Sequence, residues 1–114
     1  MATEVFKILG QVAPGTTNTA LYTVPSGKSA VISTIAVCNQ TAGDVTFRIA
    51  TQKSADASTS TILAKQYIAY GSTVAANDTT FVTIGATLAA GDQIIVYGSS
   101  SSISFNAYGS EVTP

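Results

Sequence analysis

Hydrophobic and polar residues alternate with a period of two along much of this chain, most clearly between residues 44 and 51. There Val45, Phe47 and Ile49 share one face, while Asp44, Thr46 and Arg48 share the other. This is the pattern of a strand with one buried face. The segment Ser29 to Asn39 is patterned differently. In a regular strand Ile32 and Ala36 fall on one side and Val31, Ile35 and Val37 on the other. Apolar residues on both faces call for cover on both. One side belongs to the core, and Val31, Ile35 and Val37 then form a candidate interface for an opposing sheet edge or a neighbouring subunit.

Six further strands are predicted at residues 4–12, 19–24, 61–68, 79–84, 92–97 and 103–108, which brings the total to about eight. Turn signals separate them: Pro14-Gly15, Pro25-Ser26-Gly27, Ala42-Gly43-Asp44, Asn77-Asp78, Gly91-Asp92 and the serine run 99–102. No convincing amphipathic helical period extends beyond about ten residues. Eight short strands at this spacing predict an all-β fold, an antiparallel β-sandwich or jelly roll, as a single domain over residues 1–114. Residues 52–60 are small and polar, and read as a long exposed loop. One internal echo stands out. Thr73-Val74-Ala75-Ala76-Asn77-Asp78 returns as Thr87-Leu88-Ala89-Ala90-Gly91-Asp92, which reads as repeated turn chemistry. Tyr-Gly-Ser begins near strand ends at Tyr70 and Tyr108, and at Tyr97. These three tyrosines are rim residues and candidate interface or ligand-stacking positions.

Composition sharpens the picture. Charged residues make up 10% of the 114 positions, against about 25% in ordinary domains. Seventeen Thr and thirteen Ser take their place. Threonine favours strands and serine favours turns, so hydroxyls both solvate the surface and support β structure. The net charge is −1, which lacks the dense positive field that phosphate backbones require, so nucleic acid is not an expected partner. No apolar run approaches the roughly 20 residues of a membrane span, and residues 5–9 are too short and too interrupted by Lys7 for a secretory signal. A membrane is not an expected partner, and synthesis in the cytoplasm is the expectation. Cys38 has no second cysteine to pair with and reads as a small buried apolar residue.

The search for chemistry returns little. There is no His, which removes the commonest general base and metal ligand, along with every triad built on it. Lys28 and Ser29 are adjacent on a strand and point to opposite faces. Gly27-Lys28-Ser29 resembles the end of a phosphate-binding loop, but Tyr22 stands where that motif needs its first Gly and a strand follows where it needs a helix. Asp44, Asp78 and Asp92 each follow Gly or Asn at the start of a strand, as turn-capping side chains do. Asn39-Gln40-Thr41 and Asn77-Asp78-Thr79 match a glycosylation acceptor pattern that has no weight without a secretory route. No cofactor, metal site or enzymatic activity is expected. A carbohydrate-binding module is the remaining small-ligand reading, through Tyr70, Tyr97 or Tyr108, although there is no Trp.

Two stretches resemble small virion structural proteins of tailed bacteriophages. One runs from Leu21-Tyr22-Thr23-Val24-Pro25-Ser26-Gly27 through the apolar strand to Asn39. The other runs from Leu88-Ala89-Ala90-Gly91-Asp92 through Tyr97 and on to Ile103-Ser104-Phe105-Asn106-Ala107-Tyr108-Gly109. The resemblance covers about two-thirds of the chain and implies a non-enzymatic virion protein. Its most favoured form is a capsid cement or decoration subunit, bound to the major capsid protein or another virion protein and forming a homo-oligomer, with a trimer preferred. A tail, neck or fibre-base component is the alternative.

Overall fold

In the computed structural model, which describes residues 2–114, nested antiparallel pairing organises the chain. Eight strands form: β1 (Thr3–Val12), β2 (Thr19–Thr23), β3 (Ser29–Asn39), β4 (Val45–Gln52), β5 (Tyr67–Val74), β6 (Thr79–Leu88), β7 (Gln93–Gly98) and β8 (Ile103–Thr113). Strand β1 pairs with β8, β2 with β7, β3 with β6 and β4 with β5, all antiparallel. The chain is therefore one long ribbon doubled back on itself. Further pairing of β3 with β8 and of β4 with β7 rolls that ribbon up. The result is two four-stranded sheets, a front sheet ordered β1-β8-β3-β6 and a back sheet ordered β2-β7-β4-β5. This strand order is the jelly roll, the more specific of the two architectures the periodicity predicted. No helix among the described residues is long and apolar enough to cross a membrane.

The core lies between the sheets. Phe47 on β4 meets Phe105 on β8 edge to face, with ring centroids 6.1 Å apart and planes 71° apart. Ile32, Ile35, Ile49, Ile94, Ile103, Val37 and Val96 pack around them, fully buried. The predicted inward face of residues 44–51 is observed: Val45, Phe47 and Ile49 are buried, while Thr46 is exposed and Arg48 half-buried.

Strand β3 departs from the sequence reading. Against β8, Ile32 pairs with Gly109 and Thr34 with Tyr108, which marks a bulge at Ser33 whose hydroxyl donates to the Tyr108 carbonyl at 3.0 Å; the register against β6 shifts at the same place. One extra residue changes the phase of the alternation. Ile35 and Val37 consequently point inward with Ala30 and Ile32, at 0% exposure. They belong to the core and not to an interface. Only Val31 of the three lies on the outer side, 36% exposed. Strand β5 is also displaced. Residues 61–63 are extended loop, Ala64–Gln66 forms a single 3-10 turn, and pairing starts at Tyr67. Cys38 is half-buried, on the outer side of β3 between inward Val37 and buried Asn39.

The repeated hexapeptide is the same turn used twice. Asp78 N–H donates to the Ala75 carbonyl at 3.2 Å and Asp92 N–H to the Ala89 carbonyl at 3.0 Å. Asn77 and Gly91 occupy the same left-handed position, at φ 54° and 83°, where Gly and Asn are the residues best tolerated. Asp92 caps its turn through Ala89 N–H, and Asp44 accepts from Ala76 N–H. Both act as the turn-capping carboxylates the sequence predicted.

A charged cluster closes the other end of the ribbon. Glu111 on β8 is buried and accepts from the Tyr22 hydroxyl of the back sheet at 2.6 Å and from Lys7 of β1 at 2.7 Å, with Lys28 at 3.8 Å. It ties β1, β8 and the opposite sheet together. Lys7 and the Tyr22 hydroxyl hold its carboxyl below the usual carboxylate range against the opposing effect of burial, while burial and the Glu111 charge push the Tyr22 hydroxyl up. A depressed carboxyl stabilises the fold above the unfolded pKa, about 4.3. That stability is lost as pH falls through the lower folded value. Glu111→Gln should cost about 1–2 kcal/mol at neutral pH, because Lys7 and Lys28 remain solvated when the charge is removed. It should also flatten the fall in stability below pH 5, which urea titrations at several pH values will measure.

Candidate interaction faces

Each sheet has an outer face, and the two faces differ. On the front sheet, cross-strand register sets the outward rows: Phe6, Ser110, Val31 and Thr87; then Ile8, Tyr108, Thr34 and Thr83; then Gln11, Asn106, Ala36 and Phe81. Phe6 is 78% exposed, Phe81 68% and Ile8 52%, with Tyr108 and Val31 in the middle at 38% and 36%. Threonine, serine, Asn and Gln fill the positions between them. The only charged residue at an outward position on these four strands is Glu4, at the β1 edge, where it accepts from Ser110. Lys7 and Glu111 face the opposite way and pair with each other. Exposed apolar side chains at the edges, apolar side chains at the centre and almost no charge describe a surface suited to burial.

The back sheet is partly covered by its own chain. Ala50 and Ile95 sit at outward positions, directly opposite each other across β4 and β7, yet both are buried. The segment between β4 and β5 folds over this region, and its second 3-10 turn packs on β4. Three buried glutamines pin it. Gln52 donates to the Ser58 carbonyl at 2.9 Å, the Thr61 carbonyl at 3.3 Å and Gln66 at 3.0 Å, and accepts from Ser58 N–H and Gln93. Gln66 accepts in turn from Leu63 N–H. The loop is thus held by an amide network that its polar sequence did not reveal.

Beyond the loop lies an aromatic cluster. Arg48 stands directly across from Tyr70 on β5 and Tyr97 on β7. Its guanidinium carbon sits 4.4 Å from the Tyr70 ring centre and 4.5 Å from that of Tyr97. Tyr67 meets Tyr70 edge to face at 4.9 Å. The structure therefore brings Tyr70 and Tyr97 together and leaves Tyr108 on the opposite sheet. Of the six candidate positions, Val31 and Tyr108 share the front face, Tyr70 and Tyr97 share the back face, and Ile35 and Val37 are core. The sequence reading missed Phe6, Ile8 and Phe81 on the front face and the clamped Arg48 on the back. The cross-strand register that gathers them is not written in any one segment.

The fold has parallels of known structure. A chain in a structure of infectious bursal disease virus, Gx strain, superposes with a TM-score of 0.54 and 11% identity, covering 98% of this chain and 31% of that one. A chain in the crystal structure of the T13 IBDV viral particle gives 0.54 and 10%, over 98% and 30%. The present chain spans about a third of the length of those chains, and the likeness is one of fold. No protein-family model matches the sequence, and a search of curated proteins finds no match either.

Replacing Gln52 by Ala should free the loop from β4. Hydrogen exchange at Ser58 and Leu63 N–H is expected to accelerate strongly, while β3 and β8 amides keep their protection. Unchanged exchange at those two amides would contradict the pinning role.

Proposed function

We propose that this chain is a non-enzymatic structural subunit of a virus particle, a single jelly-roll domain that docks through the outer face of its front sheet. The observation that carries the reading is that face: an exposed apolar row structure with one charge, at its edge. Ten-residue strands at a rise of about 3.4 Å, four abreast at about 4.8 Å, make a face of about 650 Å². A standard interface takes about 800 Å² from each partner, about a seventh of this molecule's 5749 Å². The face alone approaches that size. The fold likeness to chains of an icosahedral virus particle supports the same reading.

In its finer form the subunit is a capsid cement protein on the outer shell. The face packs on the major capsid protein, and edge strands β1 and β6 are open to further copies of the chain in a homotrimer. Each contact exists only in the assembled state, so binding stabilises that state by mass action, and repetition around the shell multiplies the effect. The phage origin rests on the resemblance of residues 21–39, 88–97 and 103–109.

Phe6→Ser and Phe81→Ser should leave thermal stability within about 0.5 kcal/mol, since both rings are exposed. Together they should weaken rebinding to stripped particles by about a hundredfold or more. Particles lacking the protein should rupture at lower temperature. Normal rebinding by the double variant, or unchanged rupture, would overturn the proposal. A copy number of six or twelve per particle, in place of hundreds, would move it from the shell to a tail ring.

A further inference from the structure

The back face carries a feature that docking of the front face does not use. Arg48 is the chain's one arginine, and its guanidinium carbon lies over two tyrosine rings, 4.4 Å from the centre of Tyr70 and 4.5 Å from that of Tyr97. Among the described residues no carboxylate pairs with it. The two ion pairs both involve Glu111, with Lys7 and with Lys28. The rings come from the strands on either side of β4, and no ion pair among the described residues takes up the N–H fork. Such a fork is pre-organised to take a planar carboxylate by two parallel hydrogen bonds.

Beside it lies an apolar groove of about 480 Å³ lined by Ile62, Ala64, Tyr67 and Tyr70, a volume in the range of small-ligand sites. The Tyr70 ring is 63% exposed and offers a flat apolar surface at the groove's edge. A single guanidinium at the aromatic cluster, on a chain of net charge −1, suits a singly charged carboxylate better than a doubly charged phosphate. The adjacent edge strand β5 is an irregular template for an added peptide strand. Its register against β4 shifts twice, and Gly71 within it has φ 69°. A ring with an apolar C–H face and an equatorial carboxylate fits both halves of the site: the face stacks on Tyr70 and the carboxylate meets Arg48.

We propose that the Arg48, Tyr70 and Tyr97 cluster is a binding site for an acidic saccharide of the uronic-acid type. Arg48 reads the carboxylate and Tyr70 the sugar face, while Tyr67 buttresses Tyr70 and Tyr97 fixes the guanidinium.

The test is calorimetric titration of the full chain with three probes: an oligogalacturonate tetrasaccharide, its methyl ester and sodium acetate. The tetrasaccharide should bind saturably. The ester, which keeps the sugar faces and loses the charge, should bind at least about tenfold more weakly, and so should acetate, which keeps the charge and loses the faces. Arg48→Lys and Tyr70→Ala should each reduce tetrasaccharide affinity by about tenfold or more, with unchanged melting temperature, and Phe6→Ser should leave it intact. Absent saturation, equal binding of the ester, equal binding of acetate or an unaffected Arg48→Lys variant would each overturn the proposal. Particle docking by Arg48→Lys is expected to be normal, so failure here and failure of the front-face reading are separate results.

Discussion

The phase of a two-residue alternation decides almost everything about this molecule. A strand has two faces, and each residue must lie on one of them. Eight strands rolled as a nested ribbon present their inner faces to a shared core and their outer faces to whatever surrounds the protein. Phe47 and Phe105 meet across the sheets because β4 and β8 both keep their phase. Phe6 and Ile8 share the outward side of β1 ahead of its own register shift between Ile8 and Gly10, and Phe81 shares the outward side of β6 with Thr83 and Thr87. A bulge is the one device that changes phase within a strand, and the bulge at Ser33 sends Ile35 and Val37 into the core.

A chain with so few charges still has to satisfy the polar groups it buries. Asn39, Gln52, Gln66, Gln93 and Glu111 are all buried, and no buried side-chain nitrogen or oxygen among the described residues lacks a partner. Each of these groups fastens a place where the ribbon leaves regular pairing. Asn39 is bonded to Gly43, Val74 and Ala75 around a turn, and so is a structural amide and not a modification site. The glutamines hold the β4–β5 loop, and Glu111 holds β1 against the opposite sheet. Outside the Glu111 cluster, amides and hydroxyls stand where ion pairs would, and the outer face of the front sheet carries only Glu4, at its edge, for the same compositional reason.

The alternation of residues 44–51 made β4 legible, and Arg48 was already placed on its outward face. The paired hexapeptides were legible as turns because Asn77 and Gly91 are the residue types a left-handed position requires. What sequence could not supply was pairing between distant segments. Ser33 is a small polar residue like a dozen others, and nothing local marks it as a bulge. Strand β5 was displaced because Thr61, Ile62 and Leu63 have strand-like character, while the glutamine network that bends this segment into a loop draws on Gln52 and Gln93 from outside it. Tyr70, Tyr97 and Tyr108 share a motif, yet the strand order puts two on the back sheet and the third on the front.

The proposed function depends on burial of the nearly uncharged front face in a particle. Hydroxyl-radical footprinting of the purified parent particle, compared with the isolated chain, addresses it at single-residue level. Burial of the face predicts strong protection of Phe6, Tyr108 and Phe81 in the particle, with oxidation of Tyr70 unchanged. Equal oxidation of the three front-face rings in both states, or protection confined to Tyr70, would contradict it.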